Sequence, residues 1–198
     1  LDYTMCCDII IGKNIYNHNQ RFNMNFKIIK STGCTEYNAA ADLYEISFPE
    51  HEQRLERSQR EIMNSDEYKY TLIYDGKNFI GEILCWETSD FIYVEHFCIL
   101  PEKRGLKYGA KALEMLCRTP KKVILEIDPP TDDISKRRKA FYERCGFKAN
   151  GFEHIHPPYR PQNTGHKLII MSYPAELSTG EFSEFSEYLN NTVMKNVF

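Results

Sequence analysis

The segment that decides the fold covers residues 94–113 and reads VEHFCILPEKRGLKYGAKAL. An apolar strand ends at Pro101, a short loop with Arg104 and Gly105 follows, and a helix opens around Gly109. In such a loop, consecutive backbone N–H groups converge on one point, and the helix N-terminus adds a partial positive charge. The segment therefore predicts a pyrophosphate-binding turn.

This turn differs from the two common nucleotide-binding loops. A Walker A loop needs Gly-Lys-Ser/Thr, and the dinucleotide fingerprint needs a glycine spacing that this sequence lacks. The basic residues Lys103, Arg104 and Lys107 add positive charge around the turn.

The rest of the chain alternates between strand and helix patterns. Apolar alternation and turn signals predict strands at 26–30, 68–74, 79–87, 91–100, 123–127, 147–152 and 166–173. Helical spacing predicts helices at 38–48, 52–63 and 107–117, and another that is capped by Thr131 or Asp132 and ends at Cys145. Ser178 and Glu181 form a capping box ahead of an amphipathic C-terminal segment. The helix at 52–63 is charged and is expected to be mostly exposed.

A second motif, AFYERCGF at residues 140–147, follows the turn in the order typical of one family. Together the two motifs resemble the GNAT superfamily of acyl-CoA N-acyltransferases, over residues 24–173. The family signature Q/R-x-x-G-x-G/A matches from Arg104 to Ala110, except that Lys107 stands where the first signature glycine is usual. Ser135 stands where an Asn is common.

The resemblance implies an α/β (α+β) GNAT fold. Its sheet would be mixed, mostly antiparallel and twisted, with about seven strands, flanked by about four helices plus a C-terminal helix. The sheet would splay between the strands that end near Leu100 and Ile127. Acetyl-CoA would bind in this cleft as the acyl donor, with its pantetheine arm along Phe97, Cys98 and Ile99. Its phosphates would contact Arg104, Gly105, Leu106, Lys107, Tyr108, Gly109, Ala110 and Arg138.

Acetyl transfer to an amine requires a proton acceptor for the amine and a proton donor for the departing thiolate. Tyr142 matches the family tyrosine that donates to the sulfur; the alternative is a core tyrosine beside Phe141. Glu95 is the candidate base, with a cross-strand ion pair as the alternative. Strand alternation puts Glu95 on the same face as Tyr93 and Phe97, and His96 on the opposite face.

The acceptor is expected to contact Tyr93, His156 and Tyr159. The alternative for His156 and Tyr159 is that they belong to an ordinary loop braced by prolines. His154 and His156 could face one metal ion on a strand, but no further ligand lies at a suitable spacing, so no metal is expected. Asp128 could contact the acceptor or prepare the turn at Pro129.

Composition restricts the partners. The 198 residues carry a formal net charge of -3, which gives no global field for a nucleic acid, and no apolar run is long enough for a membrane helix. Seven scattered cysteines suit reduced thiols in the cytoplasm.

We expect an N-terminal extension or leader at 1–23, an acetyltransferase domain at 24–173 and a helical extension at 174–198. The extension would pack on its own domain or on a second copy of the chain.

The leading hypothesis is an N-acetyltransferase that moves an acetyl group from acetyl-CoA directly to a primary amine of a small molecule or peptide. The alternative is a non-catalytic acyl-CoA-binding or regulatory module with the same fold. The departures from the family pattern at Lys107 and Ser135 motivate this alternative. The sequence does not identify the acceptor.

Overall fold

A seven-stranded mixed sheet forms the centre of the fold in the computed structural model, which describes residues 22–198. The strands are β1 (Met24–Ile29), β2 (Tyr68–Asp75), β3 (Asn78–Glu87), β4 (Phe91–Ile99), β5 (Lys122–Ile127), β6 (Lys148–Ala149), β7 (Ile155–His156), β8 (His166–Lys167) and β9 (Ile169–Tyr173). The sheet order is β1-β2-β3-β4-β5-β9-β6, and β7 and β8 form a separate hairpin. The expected extension at 1–23 lies outside the described residues, apart from its last two positions.

Helices cover both faces of this sheet. They are α1 (Thr35–Ser47), α2 (Glu56–Ile62), α3 (Tyr108–Leu116), α4 (Asp133–Arg144) and α5 (Thr179–Tyr188), and a π-helical turn (Leu189–Val193) continues α5. Within residues 22–198, none of the helices is long and apolar enough to cross a membrane. This order of strands and helices agrees with the α/β (α+β) fold that the resemblance implied.

The sheet splays where the resemblance predicted. β4 and β5 are parallel, and their pairing runs only from Phe91↔Lys122 to Val94↔Leu125. β4 continues to Ile99 and stays paired with β3 on its other side. Its last residues therefore present main-chain groups to a gap between β4 and β5.

Two hydrophobic clusters pack on opposite faces of the sheet. One contains β-strand residues such as Tyr70, Trp86 and Tyr93 together with the C-terminal segment. The other contains Val94 and Leu125 together with residues of α3 and α4.

The C-terminal helix packs on its own sheet. Phe185, Leu189 and Val193 are completely buried in the first cluster. The predicted capping box is present, because Ser178 Oγ accepts a hydrogen bond from Glu181 N at 3.3 Å and Glu181 Oε2 accepts one from Ser178 N at 2.7 Å. Burial of this apolar face makes the extension part of the folded unit.

The predicted helix at 52–63 was wrong at its start. A 3-10 turn (Glu50–Glu52) is followed by extended backbone at Gln53, and α2 begins only at Glu56. The extended residues bond elsewhere: the Gln53 side-chain amide donates to Phe48 O at 2.6 Å, and Arg54 enters the interior.

The last two predicted strands were also too long. β6 ends at Ala149, since the side chain of Asn150 turns inward and bonds Ser172 Oγ and the backbone N–H of Leu177. The strand predicted at 166–173 is divided at Leu168, because His166 and Lys167 pair with β7 whereas β9 pairs with β5.

Candidate active site

The predicted pyrophosphate-binding turn is exposed and connects β4 to α3. After a 3-10 turn (Pro101–Lys103), Gly105 has φ +75° and Lys107 has φ +66°, so both lie in the left-handed region. This region favours glycine, which explains why a glycine is usual at the position of Lys107. Lys107 keeps the backbone geometry without being glycine.

The N-terminus of α3 opens at this turn. Its first intrahelical hydrogen bond runs from Lys111 N to Lys107 O at 3.0 Å, so the earlier N–H groups, those of Gly109 and Ala110 among them, have no intrahelical acceptor. Arg104 Nε donates to Ile99 O at 3.0 Å, which fixes the turn against the end of β4. Backbone N–H groups at a helix N-terminus, a helix dipole and basic side chains are thus combined at one exposed place.

A cleft of about 670 Å³ extends from this turn into the gap between β4 and β5. All the residues predicted to bind the cofactor line it except Leu106, whose side chain lies on the surface and is 46% exposed. We refer to this space as the donor cleft.

Tyr142 of α4 also lines the donor cleft. Its ring packs against Phe141 and Phe147 at centroid distances of 5.2 and 5.8 Å. Burial raises the pKa of its phenol to about 12, so the group is protonated at neutral pH. α4 is fixed by a capping box in which Asp132 Oδ1 accepts from Ser135 N at 2.9 Å and Ser135 Oγ accepts from Asp132 N at 3.1 Å. Ser135, the second departure from the family pattern, therefore anchors the helix that carries Tyr142.

A second cavity, of about 690 Å³, adjoins the donor cleft and is called here the acceptor cavity. It is lined by the three residues predicted to bind the acceptor, Tyr93, His156 and Tyr159, and also by Glu126 and Asp128. Both spaces share Phe48, Glu52, Glu95 and Arg138 as lining residues, so they meet at these side chains.

Arg138 forms an ion pair with Asp128 at this junction, with Nη1 2.5 Å from Oδ2. Asp128 also lies near His166, with 3.5 Å between Oδ1 and Nε2. The carboxylate of Asp128 therefore faces the acceptor cavity, and its contact with the acceptor stays a prediction.

Glu95 is fully buried and accepts three hydrogen bonds. Arg54 Nε and the Tyr159 hydroxyl donate to Oε1 at 2.7 and 3.0 Å, and Trp86 Nε1 donates to Oε2 at 2.8 Å. Burial alone would raise its pKa, but the charge of Arg54 and these hydrogen bonds hold the pKa of Glu95 below its usual value. Glu95 does form an ion pair, but its partner Arg54 comes from the loop before α2 and not from a neighbouring strand, as the alternative had it.

The predicted side-chain alternation along β4 was wrong. Leu84 pairs with His96 and Cys85 pairs with Val94, so Glu95 is the extra residue of a β-bulge. A bulge redirects the side chains that follow it. Tyr93 consequently packs in the first cluster and Phe97 in the second, while Glu95 and His96 both contact Tyr159, one by hydrogen bond and the other by ring packing.

His96 is buried beneath α1. Its Nε2 atom lies 2.9 Å from Glu52 O and 3.3 Å from the Tyr44 hydroxyl. Because a carbonyl oxygen can only accept, Nε2 carries the proton. Burial lowers the pKa of His96, so the ring is neutral, and in the described part of the chain its Nδ1 atom has no hydrogen-bond partner.

Glu126 of β5 is the centre of a second buried polar cluster. His154 Nε2 contacts its Oε1, the Tyr93 hydroxyl donates to its Oε2 at 2.5 Å, and His156 Nε2 lies 3.7 Å from Oε2. Burial opposes ionisation, but the two histidines and the hydrogen bonds outweigh it and lower the pKa of Glu126. Glu126 is therefore a carboxylate at neutral pH.

His156 connects the two buried carboxylates. Its Nδ1 atom lies 2.6 Å from Pro157 O, so Nδ1 carries a proton. Nε2 lies 3.5 Å from the Tyr159 hydroxyl, and the rings of His156 and Tyr159 stack at 5.0 Å. Nε2 of this imidazole lies between the Tyr159 hydroxyl and the Glu126 carboxylate, at the wall of the acceptor cavity.

The sequence matches the family model described as "Acetyltransferase (GNAT) family" over residues 37–147. The chain belongs to the GNAT acetyltransferase family. A provisionally assigned GNAT acetyltransferase from Bacteroides thetaiotaomicron has 28% sequence identity and a TM-score of 0.80, covering 86% of this chain and 98% of that one.

Two further proteins extend the GNAT comparison. The provisionally assigned acetyltransferase YjbC of Bacillus subtilis (strain 168) is 28% identical over 100 residues, which are 50% of this chain and 47% of that protein. This match therefore spans about half the length of the curated relative. The ribosomal-protein-S18-alanine N-acetyltransferase of Escherichia coli shares the fold, with a TM-score of 0.53 and 17% identity over 78% of this chain and 96% of that one.

Sequence reasoning missed Arg54 and Glu126 as site residues. Arg54 lies in a charged segment that was interpreted as an exposed helix, yet its side chain is fully buried. Glu126 is a single carboxylate within the apolar strand β5, and that interruption was the signal that could have identified it.

Proposed function

We propose that this GNAT protein transfers an acetyl group from acetyl-CoA directly to a primary amine of a small molecule or peptide. The observation that carries this proposal is the junction of the donor cleft and the acceptor cavity at Phe48, Glu52, Glu95 and Arg138. Direct transfer requires both substrates to be bound with their reacting atoms in contact. Two adjoining spaces on one chain meet this requirement.

The donor cleft has complementary groups for each part of acetyl-CoA. The diphosphate would bind at the turn, to main-chain N–H groups at the start of α3 and to Arg104 and Lys107. The pantetheine arm would pair with the open edge of β4 at Phe97, Cys98 and Ile99, in the manner of an added strand. Arg138, at the inner end of the cleft, would contact the bound donor close to the junction.

Tyr142 is the proposed proton donor for the departing thiolate. Its phenol has a pKa of about 12 and so keeps its proton at neutral pH. In the transition state, the sulfur gains negative charge as the C–S bond breaks, and a hydroxyl group nearby can stabilise that charge and then give up the proton.

His156, supported by Glu126, is the proposed proton acceptor for the amine. Its Nδ1–H group is held by Pro157 O, so the neutral form of His156 would have its lone pair on Nε2. Once Nε2 has taken a proton, the carboxylate of Glu126, 3.7 Å away, stabilises the imidazolium. Glu95, the carboxylate that the sequence favoured, has acceptor positions occupied by three donors, so we assign it a positioning role for Tyr159.

The two sequence features that motivated the alternative, a non-catalytic acyl-CoA-binding module, both have a local structural explanation. They are Lys107 and Ser135. Lys107 adopts the left-handed backbone that a glycine would supply, and Ser135 completes the cap of α4. Both departures from the family pattern are therefore compatible with an intact donor cleft.

The experiment is calorimetry with coenzyme A, followed by measurement of thiol release from acetyl-CoA across a panel of primary amines, amino acids and short peptides. We expect coenzyme A binding, and thiol release that depends on the acceptor and yields an N-acetylated product by mass spectrometry. Failure to bind coenzyme A would overturn the proposed function. Binding without acceptor-dependent release from any amine would instead favour the non-catalytic module.

A further inference from the structure

Three side chains with metal-ligating atoms meet at the mouth of the acceptor cavity: His51, Glu52 and His166. One ligand atom from each lies within 4.8 Å of the other two. His51 and Glu52 belong to the 3-10 turn after α1, whereas His166 belongs to β8. These segments are far apart in sequence, so ligand spacing could not reveal the cluster.

The cluster is open to solvent but attached to ordered structure. The side chains of His51, Glu52 and His166 are 57%, 35% and 42% exposed. The backbone beneath them is anchored, because Glu52 O is bonded by His96 Nε2 and His166 pairs directly with His156 in the β7–β8 hairpin. An ion can therefore reach the cluster from solvent, and only side-chain rotations are needed to hold it.

We propose that His51, Glu52 and His166 bind a zinc ion. Two imidazoles and one carboxylate form a ligand set that Zn²⁺ accepts, at metal–ligand distances of about 2.0–2.2 Å. Asp128 Oδ1 lies 3.5 Å from His166 Nε2 and is the candidate for the fourth position. None of the cysteines in the described part of the chain belongs to the cluster, so the site uses nitrogen and oxygen ligands.

A zinc ion here would tie the 3-10 turn to the β7–β8 hairpin. Both segments line the acceptor cavity, so a cross-link between them lies over its entrance. The site shares Glu52 with the donor cleft but includes neither Tyr142 nor His156, and its existence does not depend on the acetyl-transfer proposal.

Zinc affinity of the metal-free full chain, measured by calorimetry without substrates, tests the proposal. We expect one zinc ion per chain, and affinity that falls by about tenfold or more in both His51→Ala and His166→Ala. Lys167→Ala is the matched control, because Lys167 neighbours His166 on β8 and its exposed side chain pairs with Glu153 at 2.8 Å. It should bind zinc as the unmodified chain does. Equal zinc affinity in the two histidine variants and the unmodified chain would overturn the proposal.

Two further readouts locate the ion. With Co²⁺ as the probe, we expect d–d absorption bands that are lost in His166→Ala, and no thiolate charge-transfer bands; dominant thiolate bands would assign the ion to cysteines and refute the site. By hydrogen exchange, zinc should protect residues 50–53 and 164–168 in the unmodified chain and not in His166→Ala. Circular dichroism of each variant separates lost binding from lost folding.

Discussion

Arg54 and Glu95 form an ion pair in which both side chains are fully buried and Nε lies 2.7 Å from Oε1. Arg54 also donates to Val193 O at 2.6 Å, and Glu95 accepts from Tyr159 at 3.0 Å. One guanidinium therefore connects the C-terminal segment, the bulge of β4 and the wall of the acceptor cavity. Because both charged groups have lost their hydration, removal of either one would leave the other as an uncompensated buried charge.

Replacing Arg54 with Met should destabilise the chain by about 3–5 kcal/mol, because it leaves Glu95 as an uncompensated buried charge. Urea unfolding measures the change. Arg60→Met is the matched control: Arg60 pairs with Glu56 on the exposed surface of α2, and its loss should change the free energy of unfolding by about 0.5 kcal/mol or less. Similar losses in the two variants would contradict the importance given to the buried pair.

Tyr142→Phe should lower kcat by about 10²–10⁴-fold, because the variant keeps the ring and removes only the proton donor. Coenzyme A affinity by calorimetry should stay nearly the same, since the lost interaction forms only as the thiolate leaves. Tyr74→Phe is the control, because Tyr74 packs against Phe79 and lines neither cavity. Equal loss of cofactor binding and kcat would count against the assignment.

His156→Ala should likewise lower kcat by about 10²–10⁴-fold, because the proposed proton acceptor is lost. Added imidazole should restore part of the rate, since it can occupy the space left by the ring and accept the proton. A merely structural role for His156 would give no such rescue. Acetyl-CoA affinity should be unchanged, because His156 lines the acceptor cavity and not the donor cleft. Full activity of His156→Ala would rule out His156 as the base and make Glu95 the candidate again.

The donor side could be predicted from the sequence because its information is local. The turn around Gly105, the helix that follows it and the motif containing Tyr142 each lie within one short segment. Their residue types determine φ, capping and helix ends directly. The splay of β4 from β5 was predicted from the family resemblance and is confirmed by the end of pairing at Val94↔Leu125.

The acceptor side could not be predicted in the same way because it depends on contacts between distant segments. Arg54 meets Glu95, and His154 meets Glu126, across long stretches of chain. The bulge at Glu95 changes the face of the sheet on which the later side chains of β4 lie. No residue type in β4 indicates a bulge. Periodicity describes single elements and contains no information about these partners.

Lys107→Gly should stabilise the chain by about 1 kcal/mol, since a left-handed backbone is strained for every residue with a Cβ atom. Lys107→Ala removes the same charge but keeps the strain, so it should give no such gain. Both variants should weaken coenzyme A binding to a similar extent, because each loses one cation at the turn. Urea unfolding and calorimetry measure the two effects. If both variants were stabilised by the same amount, the cause would be the lost charge and not backbone strain.

Glu82 makes the stability of the fold depend on pH. This carboxyl group of β3 is completely buried, accepting hydrogen bonds from the Tyr70 hydroxyl at 3.1 Å and Cys98 Sγ at 3.5 Å. Burial raises its pKa from 4.5 to about 8, although both hydrogen bonds act in the opposite direction. Between these two values the folded state holds a proton that the unfolded chain has released. Its contribution to stability is therefore complete below pH 4.5 and is lost as the pH rises to about 8.

Glu82→Gln should remove this pH dependence, because an amide resembles the protonated carboxyl group and does not titrate. Relative to the unmodified chain, the free energy of unfolding of Glu82→Gln should increase by about 3–4 kcal/mol between pH 5 and pH 8, at about 1.4 kcal/mol per pH unit. Urea unfolding across that range gives the curves. Glu61→Gln, on the exposed face of α2, should run parallel to the unmodified chain because its carboxylate is 58% exposed. If Glu82→Gln also ran parallel, Glu82 would be ionised in the folded state, and the neutral buried carboxyl group inferred here would be wrong.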